Sequence, residues 1–380
     1  MKATSRILIV CAVAVLTAHS FALDKSEKSE PKSVRPRMEV CFVLDTTGSM
    51  SGLIEGAKHK IWSIANEMVS AKPAPELRLG LIGYRDRGDD YVVKSFDLTN
   101  DIDAVYANLR GFSAGGGGDT PESVNEALSE AVTRMTWSSD RSVLKIIFLA
   151  GDAPPHMDYS NGPKYPEICQ AAMKKDLIIN TIQCGTMGET TPVWKEIAKQ
   201  GEGSYAAIAQ EGGMVAIATP MDAELAELNR KVGVTLVAYG GERVRREVLA
   251  KQAASEAAAA PVVADRLSFN ARSGKAVQGD GDLLDSLASG KMKFGEVKKA
   301  QLPTEWQKLD DAELKTAIEQ KQKERTELQA KILKLNRERD DYLATERKKQ
   351  PSVKADSFDE QVTAAIRAQA ARKGITYGGK

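Results

Sequence analysis

The sequence predicts an α/β fold: a doubly wound, mostly parallel sheet with helices on both faces, followed by a mainly helical C-terminal region. Three observations predict it. From residue 37 to about 235, short apolar runs alternate with stretches whose apolar residues recur at helical spacing. The runs Met38–Leu44 (MEVCFVL) and Val143–Ala150 (VLKIIFLA) are nearly continuous in apolar residues, as strands buried on both faces require. After about residue 236 the strand-like runs stop and charged helical periodicity takes over. Strand–helix alternation with right-handed crossovers covers a sheet on both sides.

Each element follows in order. After the first strand, Leu53, Ile54, Ala57, Ile61, Ile64, Ala65 and Met68 form a helical stripe. Leu77–Tyr84 (LRLGLIGY) is a second strand and Tyr91–Phe96 a third. The short turn Arg87-Gly88-Asp89-Asp90 between them leaves no room for a crossover, so the third strand is expected at an antiparallel edge. Asp101–Leu109 reads as a short helix, and Val124, Ala127, Leu128, Ala131, Val132 and Met135 mark a longer one. Val143–Ala150 is the next buried strand. Pro166–Lys175 is helical, Leu177–Gln183 a strand, Pro192–Gln200 a helix, Ser204–Ile208 the last strand, and Ala223–Lys231 a helix.

Beyond this domain (37–235) the reading is coarser. Residues 236–302 are a mixed or linker region, Ala-rich over Glu247–Ala260 and broken at Pro261. Within it, Gly279-Asp280-Gly281-Asp282-Leu283-Leu284-Asp285 lacks calcium-loop spacing and reads as the turn that starts a helix. Residues 303–350 form a long charged helix. Leu314, Ile318, Leu328, Ile332, Leu335 and Tyr342 lie on a 4-3 seam, but Lys321, Arg325 and Arg339 hold its other positions. A coiled coil that self-associates and a helix laid against its own chain are both compatible with that pattern. Residues 351–380 hold a further amphipathic helix and a tail, with Phe358, Val362, Ala365 and Ile366 on one face and Gln369 ending the stripe.

The first 22 residues, MKATSRILIVCAVAVLTAHSFA, read as a secretory signal peptide. Lys2 and Arg6 precede a 12-residue apolar run, and Ser20 and Ala22 supply small residues before the cut. The run is too short to span a membrane, which takes roughly 20 residues. Residues 23–36 are polar, charged and broken by Pro, as in a flexible tether. The expected location is therefore outside the cytoplasm, periplasmic or secreted, with no membrane span after cleavage. Loss of Lys2 and Arg6 moves the formal charge from +1 to −1. That balance excludes nucleic-acid binding by bulk charge. The chain is 6% aromatic, too sparse for a stacking platform on single strands.

Three cysteines follow the signal: Cys41, Cys169 and Cys184. Cys41 reads as a small buried residue. Cys169 and Cys184 fall near the same end of the sheet, which leaves a disulfide and two free thiols both open.

The chemistry-bearing residues sit in three loops. Asp45-Thr46-Thr47-Gly48-Ser49 follows the first strand, Gly115-Gly116-Gly117-Gly118-Asp119-Thr120-Pro121 precedes a helix, and Gly151-Asp152-Ala153-Pro154-Pro155 follows the strand VLKIIFLA. In an open doubly wound sheet, ligands bind beyond the carboxyl ends of the strands at the switch point. The common strand order makes the strands ending at Leu44 and Ala150 neighbours there, which brings Asp45 and Asp152 together. Two close carboxylates repel unless a cation lies between them. No Lys or Arg lies in the three loops, and Thr47, Ser49 and Thr120 add neutral oxygens. An all-oxygen donor set suits a hard divalent cation such as Mg²⁺ or Mn²⁺, with Ca²⁺ as the further option. Taken singly, Ser49 and Thr120 also read as helix N-caps, and Thr120-Pro121-Glu122 is itself a cap signal.

In this order and at these strand ends, Asp45-x-Thr47-x-Ser49, Thr120 and Asp152 resemble the metal-ion-dependent adhesion site of the von Willebrand factor type A domain family, over about residues 37–235. Thr47 stands where the family often has Ser. The resemblance implies that Thr47 and Ser49 ligate the metal directly and that Thr120 joins in the ligand-competent state. Asp45 and Asp152 would act mainly through water, and an acidic side chain of a protein partner would complete the octahedron. Gly151–His156 with Thr181–Gly185 resembles exported bacterial members that also carry a C-terminal helical region.

The function expected is adhesion or protein–protein interaction, without catalysis and without nucleic acid, at a site whose specificity comes from loops such as Arg85–Asp90 and His156–Tyr165. The alternative is an exported metal-dependent hydrolase or phosphatase. It would need His156, otherwise an ordinary loop histidine, as general base.

Overall fold

The computed structural model describes residues 35–214, 216–349 and 357–378. The signal-peptide expectation, and all but the last two residues of the tether, lie outside the described residues.

The six strands are β1 (Arg37–Asp45), β2 (Glu76–Tyr84), β3 (Val93–Thr99), β4 (Leu144–Gly151), β5 (Leu177–Cys184) and β6 (Glu202–Ile208). They form one sheet in the order β3-β2-β1-β4-β5-β6. All neighbours pair in parallel except β2 with β3, so β3 is the antiparallel edge that the short link predicts. The third strand begins two residues later than expected. The switch point falls between β1 and β4, where Leu44 pairs with Ala150.

The helices around the sheet are α1 (Ser51–Met68), α2 (Ile102–Arg110), α3 (Val124–Thr133), α4 (Tyr165–Lys174), α5 (Thr190–Gln200) and α6 (Asp222–Val234). Alternate residues of β1 serve opposite layers, because successive strand side chains point to opposite faces. Val40, Phe42 and Leu44 join the core under α1 and α2, whereas Cys41 and Val43 join the core under α3, α4 and α5. The same alternation resolves the cysteines. Cys184 packs on the α1 side and Cys169 on the α3–α5 side, so the sheet stands between them; both thiols are free and buried. The disulfide option is thereby corrected.

The C-terminal helices are α7 (Glu242–Glu256), α8 (Ala260–Ser273), α9 (Leu283–Ala288), α10 (Thr304–Gln307), α11 (Asp311–Lys349) and α12 (Phe358–Ala370). They do not form a separate body, and the described residues from Arg35 onward are one compact unit. α12 lies directly on the sheet: the Phe358 ring sits 6.1 Å from Phe42, which stacks on Phe148 at 5.7 Å. Gln369 does not end the buried face of α12. It exchanges two hydrogen bonds with Asn180 of β5 (3.1 and 2.7 Å), which satisfies both amides in the interior.

α11 lies against its own chain. Leu328 and Ile332 pack on α6 and α8, and Leu314 and Ile318 pack beside α9. Two of the three cations on its seam meet buried or half-buried acids. Arg325 donates to Asp282 and Asp285 (2.5 and 2.9 Å), and Arg339 to Asp222 and Asp265 (2.8 and 2.6 Å). Asp282 also caps α9 by accepting from the Asp285 backbone N–H, the helix-start turn expected there.

Candidate metal centre

Asp45, at the carboxyl end of β1, is fully buried. Its Oδ1 accepts the backbone N–H of Thr47 (2.8 Å) and the Thr47 hydroxyl (2.7 Å). This local turn is one that Asp forms readily. The Thr47 hydroxyl is 3.4 Å from that of Ser49. Asp45 Oδ2 is buried and has no hydrogen-bond partner. Thr46 faces elsewhere, donating its hydroxyl to the Tyr84 carbonyl.

The glycine loop closes over this turn. Gly48 N–H donates to the Gly116 carbonyl (3.2 Å), and Gly115 N–H to the Thr46 carbonyl (3.1 Å). Gly117 N–H donates to the Asp89 carboxylate. Gly117 has φ +72°, and a Cβ there would lie 2.8 Å from Thr47 Cβ and 3.0 Å from Glu122 Oε1. Only glycine permits that approach.

Asp152 directly follows β4. Its Oδ2 accepts from Gln210 Nε2 (2.8 Å), which also reaches the Ser49 carbonyl (3.4 Å). Gln210, beyond the end of β6, therefore ties the first loop to the third. A Cβ on Gly151 would lie 3.0 Å from Asp45 Oδ2, so the chain before Asp152 runs directly past the unpartnered oxygen.

Four of the five residues named from sequence, Asp45, Thr47, Ser49 and Asp152, thus share one cluster. Thr120 is exposed, and the hydrogen bonds joining the other four do not include it. Neither Ser49 nor Thr120 caps a helix, which corrects the cap reading. A single 3₁₀ turn at Gly48–Met50 precedes α1, Ser123 stands before α3, and no side chain caps any of these starts.

Two residues after Thr120, the Glu122 side chain is buried, with Oε2 unpartnered. Its backbone is clamped to the third loop: its N–H donates to Pro154 and its carbonyl accepts from His156 N–H. Sequence reasoning assigned Glu122 to a cap signal and passed over Gln210.

Burial pushes the Asp45 carboxyl up to about 7; the Thr47 hydrogen bonds offset part of this, the Asp152 charge adds to it, and the Asp152 backbone N–H eases it slightly. Burial likewise pushes Glu122 up to about 9, with Asp45, Asp86, Asp89 and Asp152 adding repulsion. The nearby cation, Arg85, is committed to the Thr46 and Ser113 carbonyls and to Asp90. Among the described residues no three His, Cys, Asp or Glu side chains form a group able to hold a metal by themselves. The cluster here mixes hydroxyls with carboxylates.

His156 is not a free loop histidine. It is 6% exposed, with Nε2 3.2 Å from Asp86 and Nδ1 2.7 Å from Asp158, and it stacks on Tyr159 at 3.9 Å. Asp86 also accepts from the Ser123 and Tyr159 hydroxyls. The pair thus fastens the loop after β2 to the loop after β4.

A six-stranded, doubly wound and mostly parallel sheet with a hydroxyl–carboxylate crest at its switch point defines an open α/β domain. Residues 39–220 match the family profile of the von Willebrand factor A domain, and this part of the chain is such a domain. A putative ariadne-like RING finger protein of Acanthamoeba polyphaga mimivirus is 24% identical over 151 residues, 40% of this chain and 14% of the relative. von Willebrand factor A domain-containing protein 7 of Mus musculus is 33% identical over 122 residues, 32% of this chain and 12% of the relative. The chain thus spans only about an eighth of the length of these relatives. Among solved structures, the VWA domain of SpRpn10 is 14% identical with a TM-score of 0.36, covering 46% of this chain and 89% of that one. Proximal thread matrix protein 1 from the mussel byssus, with a zinc-occupied MIDAS motif, is 13% identical with a TM-score of 0.35, covering 47% and 43%. Among the described residues no helix is long and apolar enough to cross a membrane.

Proposed function

We propose that the crest formed by Asp45, Thr47, Ser49, Thr120 and Asp152 binds a divalent cation, Mg²⁺ or Mn²⁺ before Ca²⁺, and captures an acidic residue of a protein partner. The observation that carries this reading is the buried Asp45 Oδ2, left without a partner beside further carboxylates. An orphaned buried carboxylate oxygen is costly, and a cation removes the cost. The donors fit a hard ion because every one is an oxygen.

When bound, the ion supplies a Lewis-acidic position for an outside carboxylate. The chain's own residues do the rest. Thr47 and Ser49 present hydroxyls, Asp45 orients Thr47, and Gln210 holds Asp152 beside the first loop. Thr120, exposed at the rim, would move inward when the ion and its carboxylate arrive. The basic start, short apolar run and small residues of the first 22 positions support an exported, periplasmic or secreted location.

The hydrolytic alternative lacks support in the geometry. Both ring nitrogens of His156 already face carboxylates, so the base that it requires is engaged.

Affinity capture with the whole mature protein, with and without EDTA and read by mass spectrometry, tests the proposal. Partners retained by wild type, released by EDTA and absent from Asp45→Ala are expected. Identical retention in all three conditions would overturn it.

A further inference from the structure

We propose that the cavity walled by α1, α8, α11 and α12 is a binding site, separate from the crest, for a neutral polyhydroxylated molecule: a mono- or disaccharide.

The cavity holds about 830 Å³. Small-molecule sites run from roughly 300 to 1,000 Å³. Asn66 of α1 and Ser268 of α8 both line it, and each brings a buried polar atom with no hydrogen-bond partner among the described residues. Ser268 is 3% exposed. A serine hydroxyl inside a helix can bond the carbonyl one turn back; that of Ser268 does not. The Asn66 amide is fixed by its other end, where Nδ2 donates to the Asp265 carbonyl (2.7 Å), and this leaves Oδ1 as a bare acceptor. Trp62, one turn before Asn66, is fully buried, and its indole N–H is unpartnered as well. The Trp62 ring lies 5.7 Å from that of Phe269, the neighbour of Ser268. Unpaired buried polar atoms are few in a native interior. Two in the wall of one cavity, with a third close by on α1, point to a guest that bonds them.

The donors and charges of the wall define the guest. A group that donates to Asn66 Oδ1 and also pairs with the Ser268 hydroxyl is itself a hydroxyl, which both donates and accepts. The wall's ions are already matched: Arg339 with Asp265, Arg272 with Asp340, and Arg367 with Glu67. Beside them Lys72 and Lys348 balance Asp341 and Glu360. The cavity therefore has no net charge with which to select a phosphate or a metal ion. Paired carboxylate and guanidinium edges still accept from and donate to neighbouring hydroxyls. Tyr377 adds an aromatic ring, held by its hydroxyl on the Met68 carbonyl (3.2 Å), against which the apolar face of a sugar can lie.

The experiment is saturation-transfer NMR titration of the whole mature protein, in EDTA so that the crest plays no part. The probes are glucose, N-acetylglucosamine and maltose, with glutamate and inorganic phosphate beside them. Wild type is compared with Ser268→Ala and with Ala344→Trp, which places a large ring on an exposed position of the cavity wall. At least one sugar is expected to bind wild type. Ser268→Ala is expected to weaken it by roughly fivefold or more, the worth of one hydrogen bond, and Ala344→Trp to abolish it. Ser268→Ala is expected to melt no earlier than wild type, since it removes a hydroxyl that bonds nothing in the empty protein, and to respond to Mg²⁺ as wild type does. Equal sugar binding by all three proteins, binding of glutamate or phosphate in place of the sugars, or no sugar bound by wild type overturns the proposal. So does a crystal structure of the sugar-soaked protein in which water alone meets Ser268 and Asn66.

Discussion

Oδ1 of Asp45 accepts both the backbone N–H and the hydroxyl of Thr47, while Oδ2 is buried without a hydrogen-bond partner. The turn is thus held by one half of a carboxylate while the other half is presented inward. Thr47→Val keeps the shape and removes the hydroxyl. It is expected to lose ion binding and about 1 kcal/mol of stability, the net worth of one such bond. Thr47→Ser restores both. Calorimetry and urea unfolding check the pair; a Thr47→Val protein that binds ions as wild type does would contradict the role.

Gly117 and Gly118 make a matched test of the close approach. A Cβ at Gly117 meets Thr47 and Glu122, on a backbone with φ +72°, whereas a Cβ at Gly118 meets nothing within 4 Å. Gly117→Ala is expected to abolish ion binding and lower stability by roughly 1–3 kcal/mol, the range for strain at a special backbone conformation. Gly118→Ala should leave both near wild type. Thermal unfolding with and without Mn²⁺ distinguishes them.

The pH dependence follows from the two raised carboxyls, at about 7 for Asp45 and about 9 for Glu122. Each binds its proton more tightly in the folded chain than in the unfolded one. Their stabilising contribution is therefore full below about pH 4 and is lost as pH rises through 7 and then 9. In EDTA the melting temperature should fall across that window. Asp45→Asn should flatten the lower part of the fall and Glu122→Gln the upper part. Mg²⁺ should offset it in wild type only. A melting temperature in EDTA that rises over the window would refute the assignment.

Burial of the long helix predicts a stability effect far from the crest. Arg325 is 1% exposed and paired with Asp282 and Asp285. Arg325→Met leaves those acids unpaired, at a cost of about 3–5 kcal/mol. Phe358→Ala removes a ring from the sheet core at a similar cost of about 3–5 kcal/mol. Denaturant midpoints measure both; values near wild type would mean that α11 and α12 are not docked as described.

The sheet was legible because its strands are apolar runs with one face for each layer, and β3 was legible from the shortness of its link to β2. The C-terminal region was less so, since a seam carrying Arg325 and Arg339 reads equally as a partner-facing or a self-facing surface until the buried acids opposite are known. Asp282, Asp285, Asp222 and Asp265 are distant in sequence, and spacing cannot announce them. At the crest, Asp45, Thr47 and Ser49 are adjacent in sequence and Asp152 ends the neighbouring strand, so their convergence follows from topology. Glu122 was hidden because an acid two residues after a Thr matches a helix start. In the fold its backbone is clamped to Pro154 and His156 and its side chain is buried. Gln210 carried no local signal at all.

On the proposed reading, this crest takes a doubly charged guest. Titration of Mg²⁺ and Mn²⁺ into the metal-free mature protein, with Asp45→Ala beside it, measures that directly. One ion bound per wild-type chain, and none in the variant, is the predicted result. Absent heats in both proteins, or equal heats in both, would contradict it.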